Sequence, residues 1–525
     1  MNYYIYNIMC EIYHTHTANG ANSLNTTTNN IVDFFMMFMR GLSKNDNNKY
    51  LEKCWNDSPE KTVAIIFNGR DRLNGKKEKK VSCEAMLWLS IHKPYTYKLN
   101  IINYINNYGC WKDLLYISYY TSYKTDNYKE LSLFAEQLII DKESLEKNDK
   151  VSLCAKWSPS ENDRNDKRKH FAKKIATIIY GRSDEKKMEK YRSEYLVPLR
   201  KKINIVEKLM CSNEWDKIKY ENVPGVASKR LLNAFMKHDG DRYTKYLQDV
   251  RNGVKEIKIT GILPHELSKY YIDLNEEEYK ENETIELQWK AIVENVKKSC
   301  TFSNSLAIID VSGSMFSSSN GSIPAQVAIS LGIITSICCE GMFKNKFITF
   351  SESPELISLI SEDKFKDNSE YIPTLFESHK ALKNINCGYS TDFVKCCEKI
   401  INFGNDNNIQ DEDMPKKLFV FTDMQFDNVS TDNEKMSIET VYQYIKNMFT
   451  NSGYTPPKFI FWNLSTDHKE TFPVNCDTDG VVLVSGFSEQ LLKILMNYDE
   501  INPEKIVDEI LEPYIKNIII SDEEI

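Results

Sequence analysis

From residue 301 onward the chain changes grammar, and that change restricts its fold more than any other feature. "SLAIIDVS", "KFITFS", "KKLFVFTDM", "KFIFWNLS" and "VVLVSGF" are short apolar runs without polar alternation. Such runs suit strands that are buried on both faces. Helical segments stand between them: "IPAQVAISLGIITSICCE", "TDFVKCCEKIINFG", "IETVYQYIKNMFT" and "SEQLLKILMN". Strand and helix in alternation predict a parallel sheet with helices on both sides, an α/β doubly wound domain over 301–525 that ends in a C-terminal helix. In such sheets ligands bind beyond the carboxyl ends of strands. Asp310 and Asp423 both stand at such ends.

Residues 31–300 follow a different period. "NIVDFFMMFMRGL", "SCEAMLWLSIH", "YKLNIINYINNYG", "KELSLFAEQLIID", "KHFAKKIATIIYG" and "PLRKKINIVEKLMC" place apolar residues at helical spacing. Gly109 and Gly181 act as stops, and Pro198 fits a first helical turn. Short amphipathic helices in succession cannot bury themselves singly, so an all-α helical-repeat domain, of solenoid (HEAT-like) or bundle type, is expected, although no fixed period recurs. Residues 273–299 begin acidic, end helical, and read as a connector. Residues 1–30 end in the polar "TANGANSLNTTTNN" and read as a disordered or loosely packed tail.

Charge divides the same way. The net charge of −8 hides 17 Lys, no Arg and 34 Asp+Glu over 301–525, a charge of −17. By difference from 67 and 75, residues 1–300 hold 50 basic and 41 acidic side chains, a charge of +9. A basic half joined to an acidic half points to different partners for each. No run of about twenty apolar residues is present, so no membrane span is expected. The N-terminus lacks a basic n-region and does not read as a signal peptide. The 13 cysteines show no CxxC pair and no zinc spacing, which fits reduced thiols in a cytoplasmic or other intracellular setting. Abundant Asn, Ile, Lys and Tyr hint at an AT-rich genome, and a virus-encoded product is compatible with that composition.

"IIDVSGSMFSSSNGS" carries the densest chemistry. In a loop leaving a strand, alternate residues point the same way, so Asp310, Ser312 and Ser314 can converge. Asp423 ends a second strand of the same kind, and Thr391 precedes a helix, where its hydroxyl can cap and still offer a lone pair. Two carboxylates with hydroxyls and waters form a hard, oxygen-only shell that suits Mg2+ or Mn2+ rather than zinc. An octahedral site left one ligand short can accept an acidic protein ligand. A nucleophilic serine would need a base, and His379 and His468 are the only histidines in this half, neither in a triad context. An aspartyl-phosphate enzyme would want a second Asp where Ser312 stands. A plain turn would leave Thr391 and Asp423 as coincidences.

Asp310-x-Ser312-x-Ser314, a Thr some eighty residues on, and an Asp after another apolar strand resemble the metal-ion-dependent adhesion site (MIDAS) of von Willebrand factor A domains. The resemblance covers about 301–500. It implies a Rossmann-like fold, first-loop ligands Asp310, Ser312 and Ser314, second-loop ligand Thr391, and third-loop ligand Asp423. In the helical half, "IIFNGRDRLNGKKEKK" before "WLSIHKPYT" and "INNYGCWKDLLYI" resembles the TROVE family of the Ro autoantigen type, which joins a ring of helical repeats to such an A domain. "AKWSPSE", "YRSEYLVPLRKKINIVEKLMC" and "ILPHEL" are closer to a related family of unknown function, the DUF2828 type. The resemblance spans roughly 31–500 and implies structured or single-stranded RNA as a partner.

Composition bears on that partner. Residues 156–208 hold 16 Lys+Arg against 8 Asp+Glu, and residues 70–80 hold 6 against 2. Trp157, His170, Phe171, Tyr180, Tyr191 and Tyr195 interleave with them. Basic residues neutralise phosphates, and exposed aromatics stack on unpaired bases. The phosphate-contact candidates are Arg70, Arg72, Lys76, Lys77, Lys167, Arg168, Lys169, Lys173 and Lys174. Arg70 and Arg72 could instead pair with Asp71 or Glu78, and His238 and His265 read as buried hydrogen-bonding groups at helix turns. No coherent base, nucleophile or phosphate-cradling loop appears, and "NGKKEKK" lacks Walker spacing. A non-enzymatic, RNA-binding, ribonucleoprotein-like scaffold with a divalent site is therefore expected. The alternative is a metal-dependent protein–protein interaction module without nucleic acid.

Overall fold

A computed structural model describes residues 14–17, 19–121, 129–164, 166–203, 205–274, 279–298, 304–316, 324–350, 354–360, 371–382, 392–426, 430–431, 434–435, 438–465, 471–495 and 502–524. The chain forms two compact units, each gathered from separated stretches. The first comprises Met1–Val81, Pro224–Lys229 and Leu247–Ile518, and the second Ser82–Val223, Arg230–Tyr246 and Ile519–Ile525.

The first unit opens with a short antiparallel pair, β1 (His14–His16) and β2 (Asn22–Leu24). Its main sheet contains β3 (Ser305–Asp310), β4 (Lys346–Phe350), β5 (Leu356–Ser358), β6 (Lys417–Thr422), β9 (Lys458–Asn463) and β10 (Val481–Ser485). Two short strands, β7 (Ser430–Thr431) and β8 (Glu434–Lys435), pair separately. The main sheet runs β10-β9-β6-β3-β4-β5, with every pair parallel except the edge pair β4-β5. The apolar runs form strands because β-branched and aromatic side chains pack well on a pleated surface covered on both sides.

Register fixes which residues share a face. Ala307 and Ile309 align with Phe419 and Phe421, which align with Ile460 and Trp462. Helix Pro324–Cys338 lies on this face, so near that a Cβ on Gly332 would meet Ile309 Cδ1 at 2.2 Å. Only glycine permits that approach. Ile308, Val420 and Phe461 alternate onto the opposite face. There Phe393, from helix Phe393–Asp406, packs edge-on against Phe459 at 5.4 Å and against Phe461 at 5.7 Å. Helices thus cover both faces, and each buried aromatic contributes about 2–3 kcal/mol of transfer free energy.

Residues 14–81 belong to this sheet unit, which corrects the expectation of a loose tail from residue 14 on. Ala21, Ser23 and Thr27 are buried, Leu24 bridges to Phe472, and Cys476 donates its amide to Thr27. Helix Asn30–Met37, capped by the Asn29 side chain, buries seven of its eight residues and packs against β10. Helix Pro59–Arg70 packs against helix Pro503–Ile515. The physical reason is composition: "IVDFFMMFM" has no polar face to show to water, so it must be covered.

The second unit is largely helical. Helices Lys79–His92, Pro94–Asn103, Trp111–Thr121, Lys129–Glu146 and Phe171–Tyr180 all contribute to its core, with Trp111 against Phe134 at 5.3 Å. Two π-helical turns, Tyr104–Tyr108 and Tyr191–Leu196, interrupt the α-helical run. The chain's last residues belong here and not to the sheet unit. Glu524 accepts the Tyr95 and Thr96 amides at 2.9 and 2.8 Å, capping helix Pro94–Asn103 with negative charge where the helix dipole favours it. Among the described residues, no helix is long and apolar enough to cross a membrane.

Candidate metal centre

Asp310 and Asp423 meet at the carboxyl rim of two neighbouring parallel strands. The chain leaves β3 toward β4 and leaves β6 toward β9, so the rim between β3 and β6 is where the connections part in opposite directions. In sheets of this kind ligands bind at such a parting. Because Ile309 aligns with Phe421, Asp310 stands opposite Thr422 and on the same face. Asp310 is fully buried. Its Oδ1 accepts the Ser312 amide at 2.9 Å and its Oδ2 accepts the Thr422 hydroxyl at 2.7 Å. Ser312 Oγ lies 3.2 Å from Ser314 Oγ, so the first loop brings its three oxygen-bearing side chains together.

The second carboxylate is positioned by its own turn. Asp423 Oδ1 accepts the Gln425 amide at 3.1 Å, and Met424 between them adopts a left-handed φ of 64°. The N-terminal segment props this turn: Thr17 Oγ1 donates to the Phe426 carbonyl at 2.8 Å and Asn19 Nδ2 to the Gln425 carbonyl at 2.7 Å. Burial, and next the charge of Asp423, push the Asp310 carboxyl up to about 7. A cation between them would offset both effects, and an oxygen-only donor set of two carboxylates with Ser312 and Ser314 fits a hard divalent ion. Among the described residues no group of three or more His, Cys, Asp or Glu could hold a metal, so any site here leans on hydroxyls and water. Thr391, the expected second-loop ligand, lies outside the described residues. Sequence reasoning missed Thr422, Thr17 and Asn19. Thr422 was detectable, since a residue just before Asp423 on a paired strand shares a face with Asp310.

The basic candidates fall into two groups. Arg70 and Lys76 are buried, and Lys77 is half-buried with its ammonium paired to Glu489, a placement that does not present these three to a phosphate surface. Lys76 is 1% exposed, and its ammonium donates to the Phe35 carbonyl, to Ser485 Oγ at 2.8 Å, and sits 4.0 Å from the Phe35 ring centroid. Burial lowers its pKa to about 7. Lys77 pairs with buried Glu489 at 2.9 Å, and Glu78 pairs with Arg40 at 3.0 Å. Asp71 caps its own turn through the Leu73 and Asn74 amides and accepts from Tyr514 at 3.0 Å. Lys76 and Lys77 therefore form a largely buried clasp onto the end of β10 and the segment that follows it. Arg72 is half-buried.

Lys167, Arg168 and Lys173 are exposed, and Lys169 and Lys174 half-buried. Lys169 Nζ stands 5.6 Å from the Tyr119 ring centroid. Of the interleaved aromatics, Phe171, Tyr191 and Tyr195 are core, while Trp157, His170 and Tyr180 reach the surface. The two signatures "AKWSPSE" and "YRSEYLVPLRKK" meet in space. Arg200 donates to the Ala155 carbonyl at 2.9 Å, the Ser158 carbonyl at 2.7 Å and Ser160 Oγ at 2.7 Å. Their pattern is thus a structural turn held by one guanidinium. His379, expected as the only base near the sheet besides His468, is buried against Ser268 Oγ at 2.6 Å, and burial lowers it to about 4. His265 is buried and lowered to about 3, whereas His238 is exposed and stacks on Trp215 at 4.7 Å, which corrects its expected burial.

Comparison with known proteins places these features in a lineage. Residues 17–131 and 127–302 match the family model described as "Domain of unknown function (DUF2828)". Residues 304–517 match "Domain of unknown function (DUF7788)". The chain is 32% identical over 533 residues to the uncharacterized protein L728 of Acanthamoeba polyphaga mimivirus, with 95% of this chain and 88% of that protein covered.

Proposed function

This chain belongs to the DUF2828 family, and we propose that it is a non-enzymatic binding scaffold whose sheet unit takes a divalent cation, Mg2+ or Mn2+, at the β3–β6 rim. The single observation that carries this is the burial of Asp310 beside a second carboxylate at the parting of the strand connections. The order β5-β4-β3-β6-β9-β10, with an antiparallel edge strand, supports the likeness to a von Willebrand A domain. In that likeness Asp310, Ser312, Ser314 and Asp423 hold the ion, with Thr391 completing the set. A bound ion would supply a positive centre with an exchangeable position, and that position would recruit an acidic protein ligand. Asp310 orients through Ser312 and Thr422, while the Thr17–Phe426 tie keeps the Asp423 turn in place.

The test is direct binding of Mn2+ to the full chain, followed by capture of an acidic peptide pool. Asp310→Ala and Asp423→Ala should abolish both while leaving far-UV circular dichroism unchanged. Retention of full Mn2+ binding by both variants would overturn the proposal.

A second reading, RNA contact by the helical unit, is favoured by one observation. Lys167, Arg168 and Lys173 are exposed on a segment beside exposed His170. Filter binding across a salt series decides it: neutralising three phosphates gives a log–log slope of about −2 to −3. A Lys167→Ala, Arg168→Ala, Lys173→Ala variant with an unchanged slope sinks it. The TROVE-type ring and HEAT-like repeat are the architecture this reading prefers. The mimivirus relative supports the expectation of a virus-encoded product.

A further inference from the structure

The helical unit contains a cavity of about 660 Å³ between helices Lys79–His92, Pro94–Asn103 and Lys129–Glu146. Its volume lies within the range of about 300–1,000 Å³ typical of small-molecule sites. Ile91, Pro94, Ile101 and Leu133 give it apolar walls. Two carboxylates line it: Glu136, which is exposed and solvated, and Glu130, which is only 5% exposed.

Glu130 is unusual in its partners. Its Oε1 accepts the Tyr97 hydroxyl at 3.2 Å and its Oε2 the Thr121 hydroxyl at 3.2 Å. Both donors are neutral, and among the described residues no lysine or arginine forms an ion pair with it. A buried carboxylate held by neutral hydroxyls alone lacks the charge partner that burial normally demands. Each oxygen retains a lone pair for a further donor. Lys98 and Lys129 also line the cavity, but both are exposed, so their ammonium groups are solvated and screened.

We propose that this cavity binds a small organic amine: a protonated ammonium on Glu130 and an apolar body against Ile91, Pro94, Ile101 and Leu133. Tyr97 and Thr121 position the carboxylate. Burial and the neighbouring Glu130 hold the Tyr97 hydroxyl protonated, which keeps it a donor. The ammonium head replaces the missing counter-charge, and the apolar body displaces water from the walls.

The experiment compares 4-phenylbutylamine with 4-phenylbutyrate, which share a body and differ in head charge, by calorimetry and thermal shift on the full chain. The amine should bind and raise Tm, and the carboxylate should do neither. Glu130→Gln should weaken amine binding at least tenfold. Ile91→Arg, which sets a cation at an exposed wall position, should do the same without disturbing the fold, and it decides the matter if Glu130→Gln fails to fold. Equal binding of amine and carboxylate, no amine binding to the wild-type chain, or an unchanged Kd in Ile91→Arg would each overturn the proposal.

Discussion

At the scale of single residues, burial turns protons into stability variables, and two of them act with opposite sign. The Asp310 carboxyl sits at about 7 in the folded chain, raised from an ordinary 3.8. The folded state binds this proton more tightly than the unfolded state, so its stabilising effect is complete below about pH 4 and is lost as pH rises through about 7. At about 1.4 kcal/mol per unit, the loss is on the order of a few kcal/mol. In EDTA, Tm is expected to fall across that window more in the wild type than in Asp310→Asn, and saturating Mg2+ should cancel the difference. A wild-type curve parallel to that of Asp310→Asn would contradict this. His379 behaves inversely. Its folded value of about 4 lies below the ordinary 6.5, so its contribution is present above 6.5 and lost as pH falls through about 4. His379→Gln should flatten that acid limb by about 1.4 kcal/mol per pH unit, read by urea titration at pH 4 to 7; an unchanged limb would show that Ser268 and His379 separate before protonation.

At the scale of elements, the sheet was legible and the clasp was not. Five apolar runs on both-face-buried strands announce themselves by composition, and Asp310 and Asp423 at their ends follow from the parallel arrangement. "NGKKEKK" looked like a basic patch because lysines usually stay in water. Nothing local reveals that Lys76 and Lys77 find Ser485 and Glu489 some four hundred residues later. The legible hint was upstream: a helix as apolar as "NIVDFFMM" must be covered, so its neighbours are buried with it. Lys77→Ala leaves Glu489 buried without its cation and should cost about 3–5 kcal/mol in denaturant unfolding. Lys77→Met with Glu489→Gln should recover most of that. A single-variant cost below about 1 kcal/mol would show that water reaches the pair.

At the scale of the whole molecule, the change of grammar at residue 301 marks secondary structure but not the compact units. Residues 30–81 fold with the sheet, and the last seven residues fold with the helical unit. The reason is packing: β10 is an edge strand, and an exposed apolar edge must be covered. Helix Asn30–Met37 does this in concert with helix Pro503–Ile515. A fragment of 301–525 alone should therefore aggregate or unfold without cooperativity. Residues 247–525 preceded by residues 14–81 on a flexible linker, which together make up most of the sheet unit, should unfold as one transition in calorimetry. Cooperative unfolding of 301–525 alone, at the Tm of the full chain, would contradict this account of the unit.

The central claim is that Asp310 and Asp423 share one divalent cation. Electron paramagnetic resonance of Mn2+ titrated into the full chain tests it most directly. One site that loses its free-ion signal at one equivalent, and is abolished by Asp310→Ala and by Asp423→Ala alike, is the expected result. A free-ion signal that grows in proportion to added Mn2+, identical in the wild type and both variants, would contradict it.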